Sequence, residues 1–483
     1  MSDSDTNSSE AHLPSEPELI KLGLQRTSDG LISWRSDSED HPRNWSILRK
    51  SFDTSVIIFL EFFVTVVSTT GASAFGGLFT PALSELIGRR APYLVSCAVY
   101  STFCFLTGIV PHHSAVWIGR FITGFASAVP AVVTAGSIHD MYDGKQRVWL
   151  VVLWNAGSTA GLCLGPVYGT YIATTLTWRW VFHVSAIITA GCFLCLLGVR
   201  ESRPSQIMKR KIEILRRQGV VEQLEWFNPD HSPDFKSLVR LVVIQPVRLL
   251  GTEPIVAMVT VISAVSWGII YLFTESLPGI YMSISDGLTR EMASLVFLAF
   301  VPGVMLSFIP RFWDRRAVGR RVEMGQRIEP EDKVTGFAVA APALAAGLLW
   351  FAWTVPPATK VHWVVPTLAL IPVGFAVNEM SYTLAAYLTD AYLLYAASAF
   401  CGLAFVRALV SGVMPLVAQQ MYPALGTNIA GTVVGCFGLV FCLAPWVFLR
   451  YGKRLREKSP FARHSLDSHL KSQAVSESMF EKL

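Results

Sequence analysis

The chain has 483 residues, of which 52% are hydrophobic and only 16% charged, with a mean hydropathy of +0.44. Water-soluble domains carry about a quarter charged residues, so that class is excluded. Apolar runs of about 20 residues recur along the chain, each long enough to cross roughly 30 Å of hydrocarbon. They are continuous where a β-barrel needs alternation, which predicts an all-α polytopic membrane protein.

Residues 1–50 open polar and acidic ("MSDSDTNSSEAHLPSEPEL"). A signal peptide begins basic and turns apolar at once, so this stretch is expected to be a disordered cytosolic tail. Its sequons, Asn7 and Asn44, precede the first apolar run and are expected to face the cytosol unmodified. Residues 51–199 hold a first set of apolar segments and 254–452 a second. Between them lies a polar block, 200–253, with "MKRKIEILRRQG", a basic amphipathic stretch suited to a membrane surface or a linker helix. Residues 453–483 form a second cytosolic tail. The eight cysteines all fall inside apolar runs. Cys192 and Cys195 make a C-x-x-C without histidine or acidic neighbours, so packing is their expected role. His112 and His113 share one short loop and make no metal cluster.

Basic residues orient the segments. "RNWSILRK", "IGRR", "DGKQR", the central block, "RFWDRRAVGRRVEMGQR" and "RYGKRLREK" are rich in Lys and Arg. The alternate connections "PHHSA", "TTLTWR", "SLPGIYMSISDGLTR", "VPPATKVH" and "MYPALGTN" are poor in them. Strict alternation fits twelve spans with both termini inside. Two sets of six around a cytosolic loop imply halves related by a pseudo-twofold axis along the membrane normal, a secondary-transporter architecture. No repeated filter-like loop suggests a channel. No phosphate-binding G-x-x-x-x-G-K-[ST] run occurs, so the energy source is expected to be an ion gradient, with no cofactor, metal or nucleic-acid partner.

Several motifs, in order, resemble the major facilitator superfamily. They are "LSELIGRR", "RFITGFASAVPAVVTAGSIHDMY" and "GSTAGLCLGPVYG", followed by "YLTDAYLLYAASA", "VMPLVAQQMYPALG" and "RYGKRLREKSPFA". Together they resemble its fungal twelve-span drug:proton antiporters, the branch of polyamine and multidrug exporters, over about Asn44 to Ala462. The resemblance implies the major facilitator fold, two six-helix halves, and a monomer in the plasma membrane or an internal one. It implies a proton-coupled antiporter that exports drugs, toxins or secondary metabolites by alternating access, and not an enzyme. A same-fold importer of sugars or organic anions is the first alternative.

Each motif also has a physical reading. Gly88 permits a tight turn, with Ser84 and Arg90 beside it. The resemblance gives Glu85 and Arg89 the inward-gate role. Gly157, Gly161, Gly165 and Gly169 recur every four residues, which lets a neighbouring helix approach, and Pro166 bends the span. The resemblance links that signature to export.

Charges within spans are functional candidates. Arg120 matches the family's proton-linked arginine or is a snorkelling residue at the interface. Glu275 ends the seventh segment, and Glu379 lies deeper in the tenth, partly desolvated, where a carboxyl suits proton exchange or a cationic substrate. Glu61 is a further carboxylate candidate. Asp390 and Arg407 form a candidate ion pair between the tenth and eleventh spans. Trp154, Asn155, Tyr271, Phe273, Asn378 and Tyr382 are candidates to line the path of a small-molecule substrate, neutral or cationic and amphiphilic.

One stretch resists this scheme. From Ser51 to Ile87 the chain has room for less than two spans of ~20 residues and a turn. Three outcomes follow: a hairpin turning at "GASAFGG", one long tilted helix, or a sequence lacking roughly 25–30 residues. The last makes a non-transporting, truncated gene product the second alternative, with 11–12 spans and a distorted second one.

Overall fold

The computed structural model describes residues 16–26, 31–67, 70–217, 244–284, 288–324, 330–356, 361–392 and 395–465. Asn7 lies outside them. Ten stretches among the described residues are long and apolar enough to cross a membrane: Arg90–Ile109, His113–Met141, Gln146–Thr175, Trp178–Leu197, Pro254–Ile284, Arg290–Arg321, Thr335–Thr354, Val364–Tyr392, Ser398–Leu425 and Thr427–Lys458. They are spans three to twelve. Two more polar helices, Ile47–Val67 and Thr70–Ile87, precede them and are spans one and two.

The hairpin outcome is the one that forms, but its turn is not at "GASAFGG", which is helical. Only residues 68 and 69 separate the two helices. The first starts at Ile47, so it includes Arg49 and Lys50 in its opening turn. At ~1.5 Å per residue the helices measure ~31 and ~27 Å, and two crossings fit. With these two helices the described residues hold twelve membrane-length segments rather than eleven. At the outer end Arg120 donates from Nη1 to the Val67 carbonyl at 3.1 Å. A cation on the last carbonyls of a helix relieves their unmet bonds and favours the dipole.

In the first half, span 1 packs on 5, span 2 on 4, and span 3 on 4 and 6. In the second, span 7 packs on 11, and span 9 on 10 and 12. Spans 2 and 11 and spans 5, 8 and 10 join the halves. Each half has its own core. Tyr93, Cys97, Tyr100 and Val133 centre the first, and Phe273, Phe297, Phe300 and Phe351 the second.

The glycine stripe of span 5 explains how span 1 comes so close. A Cβ on Gly157 would meet Ile58 at 3.7 Å, one on Gly161 the Phe62 carbonyl oxygen at 2.5 Å, and one on Gly165 the Val66 carbonyl oxygen at 2.8 Å. The partners advance four residues at a time, as the glycines do. Gly169 faces nothing within 4 Å, because span 1 ends at Val67.

The described part of the N-terminal segment is ordered where a disordered tail was expected. Helix Glu16–Lys21 and the antiparallel strands Leu24–Arg26 and Ile32–Trp34 cover the helix Pro204–Arg217 of the central block. That helix repeats apolar residues at Met208, Ile212 and Leu215, one face of a helix. Leu19, Leu24 and Ile32 bury this face, so the segment and not the bilayer is its partner. Trp34 Nε1 donates to the Pro204 carbonyl at 3.3 Å, and Lys211 bonds to Asp40. Asn44 is occupied too, donating to the carbonyls of Ser36 and Ser38 at 2.9 Å. A charge in this small core has no partner to meet it. Ile32→Asp is expected to free residues 16–40 to limited proteolysis while the spans stay folded, read as a shortened band on a gel and an unchanged melting temperature.

Candidate functional site

Three polar clusters lie at different depths. The first is built on "LSELIGRR", at the end of the spans beside Glu201 and the helix Pro204–Arg217. Gly88 adopts φ +101°, a left-handed conformation that glycine takes without strain. The turn aims two amides at Glu201, from Arg89 N at 2.7 Å and Arg90 N at 3.0 Å. The Arg89 side chain crosses to span 4, where Nε meets Asp140 Oδ2 at 3.1 Å, and Nη1 donates to Ser84 Oγ at 2.7 Å. Gly136 of span 4 leaves the space that its guanidinium fills. Arg90 Nη2 ties the turn to the Leu197 carbonyl at 2.8 Å. Of the two gate candidates, Arg89 forms an ion pair with Asp140 of span 4. Asp140 and Glu201 were not singled out in the sequence: each is one acidic residue at the end of a span, without a repeat to mark it.

The second cluster joins the halves. Asn155 Nδ2 of span 5 donates to Asn378 Oδ1 of span 10 at 2.7 Å, and Thr159 Oγ1 to the same oxygen at 2.8 Å. Asn378 Nδ2 passes the chain on to Ser307 Oγ of span 8 at 2.6 Å. One residue along, Glu379 is buried in an ion pair with Arg311, whose Nη1 also meets Asp314 Oδ2 at 2.8 Å. Thr383 Oγ1 donates to Glu379 Oε1 at 3.0 Å, and the Arg311 guanidinium lies 4.2 Å from the Tyr382 ring centroid. Gly336 of span 9 leaves room for the pair. Arg311 hid in "RFWDRR", which reads as a cytosolic loop. The helix Ile309–Glu323 instead carries it back into the protein.

A buried charge stripped of its partner typically costs about 3–5 kcal/mol. Arg311→Ala is therefore expected to lower the melting temperature sharply. Arg311→Ala with Glu379→Ala should recover part of the loss, because the more deeply buried carboxylate goes with its partner and only Asp314, 12% exposed, is left without the arginine.

The third cluster surrounds a cavity of about 90 Å³ between the halves. Spans 1, 2, 4 and 5 give it Glu61, Ser73, Ser127 and Ser158. Spans 7 and 11 give it Trp267, Tyr271, Arg407 and Ser411. Glu61 is 3% exposed. Its Oε1 accepts from Ser158 Oγ at 3.1 Å and Thr65 Oγ1 at 3.3 Å, while its buried Oε2 has no hydrogen-bond partner. Arg407 lies 4.5 Å from the Trp267 ring centroid. Among the described residues it forms no ion pair, although Glu61 and Arg407 sense each other through space.

The sequence candidates thus separate. Glu61 and Tyr271 line the cavity. Asn155 and Asn378 bond the halves together, and Glu379 and Tyr382 belong to the Arg311 cluster. Phe273 is core, 5.4 Å from the Phe351 centroid. Trp154 packs by Ile138 and Met141. Glu275 is at the outer end, accepting from exposed Gln419 Nε2 at 3.1 Å. Arg120 caps span 1, with its guanidinium 4.7 Å from the Phe182 centroid. Asp390 and Arg407 form no pair: Asp390 lies in the last turn of span 10, whereas Arg407 stands nine residues into span 11, ~14 Å along its axis. Trp267 and the serines went unremarked in the sequence because such residues are common in any span.

Residues 45–415 match the Major Facilitator Superfamily. A major facilitator superfamily multidrug transporter of Candida albicans, FLU1, is 30% identical over 402 residues, 82% of this chain and 66% of that protein. The match thus spans just under two thirds of this relative's length. The ascochitine biosynthesis cluster MFS transporter of Didymella fabae is 26% identical over 468 residues, 90% of each chain. Among solved structures, the proton:xylose symporter XylE superposes with a TM-score of 0.58 at 14% identity, over 84% of this chain and 97% of that one. The twelve spans in two halves and these matches agree: the chain is a multi-pass membrane protein that belongs to the Major Facilitator Superfamily, a family of transporters and not of enzymes.

Proposed function

We propose that the protein is a proton-coupled exporter of small organic molecules, working at the plasma membrane by alternating access. The observation that carries this reading is Glu61, a buried carboxylate with one free oxygen in the cavity between the halves. The relatives, a multidrug transporter and an ascochitine biosynthesis cluster transporter, support export as the direction.

Glu61 is placed to hold either a proton or a substrate group, never both. With the cavity open to the cytosol, the carboxylate binds substrate. With it open outside, a proton takes the oxygen as substrate leaves. Ser158 and Thr65 hold the carboxylate in one pose, and Arg407, Tyr271 and Tyr93 are the other titratable groups that act on it. The Arg89–Asp140 and Glu201 contacts latch the cytosolic end of the first half in the state seen here.

Everted vesicles test the reading. Acidifying the lumen should drive accumulation of at least one member of a panel of small aromatic amines and acids. Accumulation that ignores the gradient for every member would overturn it.

A further inference from the structure

The cavity holds two charges that do not satisfy each other. Glu61 keeps a buried oxygen free of hydrogen bonds. Arg407 makes neither a hydrogen bond nor an ion pair among the described residues, and its guanidinium carbon lies over the Trp267 ring. Guanidinium groups match carboxylates in geometry and seldom stay unpaired at a desolvated site. The sequence suggested a broad apolar cavity with one or two carboxylates and substrates that are neutral or cationic. A cavity walled by both signs selects differently.

We infer that the preferred solutes are amphoteric aromatics: an anionic group is bound by Arg407, a protonated nitrogen by Glu61 Oε2, and the ring lies between them against Trp267 and Tyr271. This rests on the central cavity being the substrate site. Two features add to it. Ser411 Oγ is buried without a partner beside Arg407 on span 11, one further donor for an anion. The two charges also sit on opposite halves, Glu61 on span 1 and Arg407 on span 11. One solute bridging them would draw the halves together, whereas a solute with a single charge leaves one wall uncompensated. Because the nitrogen and the proton compete for Glu61, such a solute is exchanged for a proton. An acid bound by Arg407 alone would instead travel with one.

Three probes of one ring and nearly one size separate the contributions: 4-(aminomethyl)benzoate carries both charges, 4-methylbenzylamine only the cation and 4-methylbenzoate only the anion. Equilibrium binding to the purified full chain at one pH is expected to favour the first at least tenfold over each of the others. Arg407→Gln should erase its advantage over the amine, Glu61→Gln its advantage over the acid, and Arg407→Lys should keep part of the first. An amine that binds as tightly as the amphoteric probe in the wild-type chain overturns the inference, and this comparison needs no variant to fold. So does binding of none of the three, or an advantage over the amine that survives Arg407→Gln. Binding is measured without a gradient. A chain that shows the preference yet accumulates nothing in acid-loaded vesicles overturns the transport reading alone.

Discussion

Vesicles carrying Glu61→Gln will equilibrate substrate across the membrane but will not concentrate it when the lumen is acidified. The amide keeps the size of the carboxylate and can still bond Ser158 and Thr65. It cannot take or release a proton, so the exchange that ties substrate movement to the gradient is cut while the path remains. Uphill accumulation should fall to background, a loss of at least a hundredfold. Exchange between labelled and unlabelled substrate should persist, with affinity lowered for solutes bearing a cation. Glu379→Gln, which alters a carboxylate outside the cavity lining, is expected to weaken folding before it alters coupling. Should Glu61→Gln concentrate substrate as the wild type does, the proton is carried elsewhere and the assignment to span 1 is wrong.

Along the glycine stripe of span 5, one methyl group should have opposite consequences at its two ends. Gly161→Ala places a Cβ 2.5 Å from the Phe62 carbonyl oxygen, and no side-chain rotation can move a backbone atom away. Span 1 must shift, and Glu61, one residue before Phe62, shifts with it. Transport is expected to fall at least tenfold, and the melting temperature with it, since forced packing of this kind costs about 1–3 kcal/mol. Gly169→Ala adds the same methyl where nothing lies within 4 Å. That variant should transport and melt like the wild type. Equal effects at the two positions, measured side by side, would mean that the stripe does not govern the approach of span 1.

The fold was legible because bilayer physics writes it into composition. Apolar length sets the spans, and the basic loops "IGRR", "DGKQR" and "RYGKRLREK" mark where they are joined. The glycine stripe was legible for the same reason, a simple period. What failed was arithmetic at span 1: Arg49 and Lys50 mark the interface but do not end the helix, so counting from Ser51 made the hairpin too short. The site was half legible. Charge inside a span is rare enough that Glu61, Glu379 and Arg407 all stood out. Their pairing did not, because partners such as Arg311, Asp140 and Trp267 come from helices distant in sequence, and only packing decides which faces meet. Asp390 and Arg407 sit near one another in the sequence yet at different heights in the fold.

The packing of the N-terminal strands on Pro204–Arg217 has a consequence for how the chain is made. Trp34 and its partner Pro204 are 170 residues apart, and six spans are synthesised between them. At 5–20 residues per second, the ribosome reaches the helix roughly ten seconds or more after the strands emerge. Until then Leu24 and Ile32 have no surface to cover them. Closure of this small core therefore reports that the first half has been threaded through the membrane with both of its ends on the same side.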